Sequence, residues 1–172
     1  MADTKEIINC PACGKPMAKI PVPAANINLD ICLDGCGGIF FDNREFKKFD
    51  EQAESIDEIT NAIIGKTFAP VDGNADRTCP VCGMKMVKNF ASSLHEIQID
   101  ECYGCGGKFL DNGELQKIRA QFATEQERAD AAVKELYNAV GGKLKALDEE
   151  WAVAKARRSP LNNLFNGLMG ID

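Results

Sequence analysis

The chain has 172 residues, 20 basic against 26 acidic, and a formal net charge of −6. An acidic balance of this kind disfavours non-specific attraction to phosphate backbones, which supplies most nucleic-acid affinity, and the length suits one ordinary domain or two small ones. No apolar run approaches a membrane-spanning length, and the opening MADTKEIINC lacks an apolar signal core, so a cytoplasmic location with reduced thiols is expected.

Residues 1–9 read as a flexible leader. Cys10-Pro-Ala-Cys13-Gly14 then opens a pattern completed by Cys32 and Cys36. Between the two pairs lie two short apolar runs, Met17 to Val22 and Ile27 to Ile31, with Pro23-Ala-Ala-Asn26 as the turn. Pro21 and Pro23 fit an edge strand. Gly38 to Phe41 is expected as a third strand. Asp42-Asn-Arg-Glu45 has the form of a helix N-terminus, an aspartate cap with glutamate three residues on, and Phe46 and Phe49 follow as its apolar face. Ser55-Ile-Asp-Glu58 is a second such box. A catalytic or metal-binding use of these carboxylates is the weaker alternative, because an apolar-periodic run follows at once. Residues 66–78 contain Pro70, Asp72-Gly73 and Asn74 and read as an exposed linker. Gly65-Lys66-Thr67 is no phosphate loop, since the motif needs glycine at position 60 and Thr60 stands there.

The text of residues 10–45 then recurs. At an offset of 69, Cys10, Cys13, Gly14, Met17, Cys36, Gly37, Gly38, Phe40, Asp42, Asn43 and Glu45 reappear as Cys79, Cys82, Gly83, Met86, Cys105, Gly106, Gly107, Phe109, Asp111, Asn112 and Glu114. Cys32 and Cys102 are related by 70, because the first copy has a shorter middle loop and a longer second turn, C-x-x-x-C. The expected strands of copy two are Lys85–Phe90, Leu94–Asp100 and Gly107–Leu110. Its boxes are Asp111-Asn-Gly-Glu114, followed by Leu115, Ile118 and Phe122, and Thr124-Glu-Gln-Glu127. Each ribbon is thus expected to carry two helical segments, or one bent helix, and the repeat units run over about 8–65 and 77–134.

Two C-x-x-C-type pairs at this separation are a zinc signature. The expected sites are Cys10, Cys13, Cys32 and Cys36, and Cys79, Cys82, Cys102 and Cys105, one zinc ion in each. Four protein ligands leave no open coordination position, so both sites are expected to be structural. The glycine after each first pair suits a turn that requires positive φ. Disulfides, thiol exchange by one C-x-x-C pair, and a rubredoxin-like iron site are the alternatives. Four thiolates accept zinc or iron alike, whereas pairing of each C-x-x-C with a partner pair argues against exchange chemistry. Filled sites of about −2 charge each would make the chain still more acidic.

The motif C-P-x-C-G followed by D-x-C-x-x-C-G-G-x-F-x-D-x-x-E resembles the transcription factor IIB-type zinc-ribbon family. The resemblance covers roughly half of the chain, in two tandem copies. It implies a zinc ribbon and zinc binding, and the family's name suggests nucleic acid. The first copy departs from the pattern by the additional residue between Cys32 and Cys36.

After Ala129 the repeat ends. Val133, Leu136/Tyr137 and Val140 have helical spacing, Gly141-Gly142 is expected to break the helix, and Leu144, Leu147, Trp151 and Ala154 resume it to about Arg158. The two pieces suit an antiparallel hairpin or a coiled-coil seam between chains, which short length and the glycine pair weaken. Ser159 and Pro160 suit the cap and first position of a last helix. Its apolar face is Leu161, Leu164, Phe165, Leu168 and Met169. That face either packs on the protein's own core or docks in a groove of a protein partner; a membrane-surface role ranks third, because the polar face is rich in asparagine rather than lysine.

The fold expected is therefore small, α+β and metal-stabilised. Residues 1–65 form a first zinc ribbon with its trailing helix, 66–78 a linker, 79–134 a second ribbon with its helix, and 135–172 a helical region with an amphipathic tail. His95, the only histidine, is expected in an exposed loop, and no nucleophile elbow, metalloprotease helix or deaminase motif occurs. The function expected is non-catalytic: a zinc-binding adaptor for protein partners, with homo-oligomers allowed. Nucleic-acid binding is the alternative. It requires a basic patch with stacking aromatics, for which the ribbons offer Lys15, Lys19, Lys85, Lys88 and Lys108, with exposed aromatics scarce.

Overall fold

Each copy folds its two apolar runs into an antiparallel hairpin and adds a short third strand. In copy one, β1 (Ala18–Val22) pairs with β2 (Ile27–Ile31), Ala18 lying opposite Ile31 and Val22 opposite Ile27. Asn26 closes the turn at φ 53, a conformation that asparagine tolerates better than most residues. β3 (Ile39–Phe41) pairs with β2, Asp30 opposite Phe40. Copy two repeats this with β4 (Val87–Phe90), β5 (Gln98–Glu101) and β6 (Lys108–Leu110). β5 starts at Gln98 instead of Leu94, because Ser92 turns the chain by accepting the Leu94 N–H on its hydroxyl and the His95 N–H on its carbonyl. His95 is exposed there at φ 55. The computed structural model describes the backbone of residues 6–169, and their side chains except at 142, 144, 146–148 and 154–169. Leader residues 1–5 lie outside the described residues.

The two ribbons are joined edge to edge. β3 and β6 pair antiparallel, Ile39 opposite Leu110, Phe40 opposite Phe109 and Phe41 opposite Lys108. One six-stranded sheet results, in the order β1-β2-β3-β6-β5-β4. Phe40 and Phe109 are equivalent residues of the two copies, so a pseudo-two-fold axis passes between them. Each ring covers the other copy's glycine: a Cβ on Gly38 would lie 2.3 Å from Phe109 Cζ, and one on Gly107 2.5 Å from Phe40 Cζ. A lone ribbon would present its third strand as a bare apolar edge, and mutual pairing satisfies both edges at once.

Alternation along the strands divides the buried side chains between the two sheet faces. One cluster contains Leu29, Ile31, Phe41, Phe46, Phe49 and Ile59 from copy one with Ile99, Leu110, Leu115 and Ile118 from copy two. The other contains Phe40, Phe109, Met17, Met86 and six of the cysteines. The sheet is thus a middle layer, with helical segments over one face and the cysteine knuckles over the other.

Two helical segments follow each ribbon. In copy one these are a single 3₁₀ turn, Phe46–Lys48, and α1 (Asp57–Ile63); in copy two they are α2 (Glu114–Gln121) and α3 (Glu125–Met169). Only half of each first capping box forms as expected. Glu45 and Glu114 accept the backbone N–H of Asp42 and Asp111 at 2.9 and 2.7 Å, but the N-cap positions fall on Glu45 and Gly113, which make no side-chain cap. The Asp111 carboxylate is drawn away by Arg77. At the third residue of this turn the copies diverge: Gly113 has φ 84, and Arg44 holds the equivalent place at φ 72. At Thr124 the box is made, since the Thr124 hydroxyl accepts the Glu127 N–H and the Glu127 carboxylate accepts the Ala123 N–H.

The C-terminal region departs from the sequence expectation. α3 runs unbroken for 45 residues, so there is neither a break at Gly141-Gly142 nor a separate helix starting at Ser159-Pro160. A helical glycine costs only about 1 kcal/mol relative to alanine, and strong helix formers flank the pair, so the penalty falls short of what ends a helix. Leu161, Leu164, Phe165, Leu168 and Met169 belong to the backbone of α3, while their side chains lie outside the described residues. The chain divides into two compact units, residues 1–129 and 130–172.

A left-handed backbone conformation costs a non-glycine residue about 1–2 kcal/mol. Arg44 is exposed, so Arg44→Gly removes that cost with little lost packing. The variant is expected to be more stable than the parent by about 1 kcal/mol in denaturant titrations of the zinc-loaded protein. An unchanged or lower midpoint would show that the Arg44 side chain contributes more than its backbone costs.

Candidate metal centres

Each site is built from two tight turns that face one another across a hairpin. In the first turn of copy one the Cys10 N–H donates to the Lys15 carbonyl and the Gly14 N–H to the Cys10 carbonyl, both at 2.8 Å. The second copy repeats the pair with Cys79 to Met84 and Gly83 to Cys79, at 2.8 and 2.9 Å. Gly14 and Gly83 have φ 76 and 73, as the turn requires. The hairpins then bring the second turns beneath the first. The longer Cys32–Cys36 turn is accommodated by Gly35, where a Cβ would sit 2.7 Å from the sulfurs of both Cys13 and Cys32.

The eight cysteines separate into two sets, Cys10, Cys13, Cys32 and Cys36, and Cys79, Cys82, Cys102 and Cys105, each with its four sulfurs within 4.8 Å of one another. The closest approaches are Cys10–Cys36 at 3.4 Å, Cys13–Cys32 at 3.4 Å, Cys79–Cys105 at 3.5 Å and Cys82–Cys102 at 3.3 Å. A tetrahedron with zinc–sulfur bonds of about 2.3 Å has edges of roughly 3.8 Å, so the donor sets fit the ion. No cysteine is in a disulfide. Six of the sulfur residues are buried and one in each site, Cys13 or Cys82, is exposed.

The electrostatics suit a bound cation. As thiols alone, Cys10 shares a proton with Cys36, which together with burial pushes Cys10 far above the ordinary thiol range; accepting that same hydrogen bond pulls Cys36 down to about 5. Burial raises Cys32 to about 11. In the second site burial likewise raises Cys79 and Cys105. Burial opposes ionisation of Cys102 too, but N–H groups of Cys105 and Gly104 and the bond with Cys82 outweigh it and bring Cys102 down to about 7. Each turn thus favours some thiolate, but four together need a dication. The zinc ion supplies that charge and fixes both turns to each other. With four protein ligands the sites are closed, and they serve the fold.

One buried charge cluster beside the second site is not foreseen by the motif. Arg77 stands two residues before Cys79, where the first copy has Ile8; both are buried. Its guanidinium donates to Asp100 at 2.7 Å and to both carboxylate oxygens of Asp111 at 2.9 Å, and lies 4.8 Å from the centre of the Phe109 ring. Lys88 also donates to Asp100, at 3.0 Å, as its equivalent Lys19 does to Asp30 at 2.8 Å. Aligning the copies at the repeat offset exposes this exchange of arginine for isoleucine, although nothing in that alignment says which carboxylates the arginine meets.

Removing one partner of a buried ion pair strands the other's charge. Arg77→Ile, which copies the first ribbon, is therefore expected to lose about 3–5 kcal/mol of unfolding free energy at neutral pH, measured with zinc present in excess. Because raised thiols must release protons to bind metal, apparent zinc affinity is expected to increase from about pH 6 to about pH 8, with two ions bound per chain in native mass spectrometry. A strong chelator is expected to abolish the circular dichroism of residues 1–129. A metal-free chain with an unaltered spectrum would contradict a structural role for the sites.

A family model described as a transcription factor zinc-finger matches residues 9–51 and again 78–121. No curated protein and no solved structure matches the chain. The two matched segments together make up just over half of the chain, each contains one complete four-cysteine set, and the protein therefore belongs to the transcription factor IIB-type zinc-ribbon family as a tandem, zinc-binding member.

Proposed function

We propose that the protein is a non-catalytic adaptor whose docking surface for another protein is the open edge of the second ribbon. The asymmetry between the copies carries this reading. In copy one the outer strand β1 is covered by α1, with Ile59 buried and Val22 buried beneath it. The residue equivalent to Ile59 is Arg128, whose guanidinium instead bonds to Asp50. The outer strand β4 keeps its apolar side chains in solvent: Val87 is 43% exposed, Phe90 48% and neighbouring Leu94 41%. Met84 and Tyr103 extend this apolar surface onto the knuckles. A terminal strand with free edge groups and flanking apolar side chains suits the addition of an extended peptide strand.

Nucleic acid receives less support. Phe90 and Tyr103 are exposed, so ribbon aromatics are less scarce at the surface than the sequence led one to expect. The lysines, however, are committed. Lys19, Lys85, Lys88 and Lys108 pair with Asp30, Asp76, Asp100 and Glu101, and Lys15 donates to the Asp34 carbonyl. Charges already neutralised by carboxylates release few counterions from a phosphate backbone. The tail residues Leu161, Leu164, Phe165, Leu168 and Met169 offer a protein partner only the spacing of an amphipathic helix, so the ribbon edge is the better-supported surface. No helix among the described residues is long and apolar enough to cross a membrane.

Immobilised zinc-loaded protein is expected to retain a defined set of proteins from lysate of its source. Phe90→Asp combined with Val87→Asp is expected to lose that set while keeping two zinc ions per chain. Retention of the same proteins by the double variant would overturn the assignment of the β4 edge. Tight binding of DNA or RNA, weakening steeply with salt, would replace the adaptor reading altogether.

A further inference from the structure

We infer that α3 is one strand of a parallel two-stranded coiled coil and that the other strand is a second copy of this chain. This inference goes beyond the adaptor reading and uses a different surface. From Val133 a set of apolar residues of α3 recurs at alternating steps of four and three, Val133, Tyr137, Val140, Leu144, Leu147, Trp151 and Ala154, with Leu136 beside this seam and Val153 off it. A helix lying on a globular surface shows a broader stripe, three or four residues in seven, whereas a narrow seam with a 3.5-residue repeat is what supercoiled helices bury. The sequence keeps the same register at Leu161, Phe165 and Leu168, with Arg158 the one charged residue at a seam position, between Ala154 and Leu161. A single polar core position of this kind fixes register and strand number at some cost in stability.

The structure adds two observations. The helix is continuous, and Gly141 and Gly142 fall beside the seam and behind it, so the pair that seemed to interrupt the pattern leaves it whole. The described side chains of the seam also lie in solvent within a single chain, Val140 the least of them at 40%. Val133 is 66% exposed, Tyr137 74% and Trp151 75%, on a helix about 67 Å long. Isolated helices draw little stability from propensity alone, and large aromatic side chains on one stripe supply the missing burial once that stripe is covered.

The flanking charges identify the occupant. In a parallel, in-register pair Lys143 faces the partner's Asp148, and Glu150 faces the partner's Lys155. Each contact occurs twice by symmetry, and the flanking residues at the next heptads on either side add no like-charged pair. Reversing one helix over the same seam keeps Lys143 near the partner's Glu150 but sets Lys134 against the partner's Lys155. Complementarity to an identical chain, in one direction and not the other, selects the parallel homodimer over an unrelated helix.

The test is the mass of the full-length, zinc-loaded chain by sedimentation equilibrium. The expected mass is twice the 18.7 kDa of one chain. Leu144→Asp with Leu147→Asp is expected to give a monomer that retains two zinc ions. Lys143→Glu with Lys155→Glu, and separately Asp148→Lys with Glu150→Lys, are each expected to self-associate at least about tenfold more weakly, and mixing the two variants is expected to restore the dimer. Fluorophores at the C-termini of a mixed dimer are expected to show efficient energy transfer. A monomeric parent chain, a mass of three or four chains, an unaffected Leu144/Leu147 variant or a dimer without energy transfer would each overturn the assignment.

Discussion

Four sulfurs held within 4.8 Å of one another cannot all carry charge unless a cation sits among them. This constraint governs the ribbons. Each hairpin is short, each third strand has only three residues, and the turns that bear the cysteines share one small buried cluster with Met17, Met86, Phe40 and Phe109. A dication converts mutual repulsion into the strongest local attraction in the fold. It also places the loops accurately enough for Phe40 and Phe109 to reach across to Gly107 and Gly38. Metal binding and sheet formation are therefore expected to be coupled, since the same buried layer contains six cysteines, two methionines and two phenylalanines.

The duplication supplies what one ribbon lacks. A single ribbon has one covered face and an unpaired third strand, too little for a stable domain. Joining β3 to β6 merges two small cores into a cluster drawn from both copies. Within that shared frame the copies have diverged. Ribbon one keeps a helix over its outer strand. Ribbon two gives up the equivalent cover, places Arg77 where an isoleucine stood, and directs its last helix into a separate unit.

Much of this was legible in the sequence because cysteine spacing and glycine placement are local signals. The metal sets, the hairpins and the presence of two helical segments per ribbon all follow from residues within one copy. The β3–β6 joint was not legible, because it depends on two short apolar strands 69 residues apart, and nothing in Ile39-Phe-Phe41 names its partner. The role of Asp111 is hidden for a similar reason. A capping aspartate and an arginine's partner look alike until Arg77 arrives from the segment just before Cys79. Gly141-Gly142 and Ser159-Pro160 read as punctuation, yet α3 passes through both. Each glycine costs only about 1 kcal/mol there, which the surrounding helix formers overcome, whereas the interior proline costs about 3 kcal/mol.

The pseudo-two-fold joint makes the chain an internal dimer. Its two halves meet through the same strand of each, so the contact is isologous in kind although it lies within one polypeptide. Each ribbon's third strand is a self-complementary edge, and joining the halves through residues 66–78 makes an association that would otherwise depend on concentration an intramolecular one. The tether is also part of the architecture: the Ala69 N–H donates to the Gly35 carbonyl at 3.0 Å, and Arg77 near its end is buried against Asp100 and Asp111. A cut that leaves Arg77 with the second half therefore keeps both joining surfaces, and a cut that removes it does not.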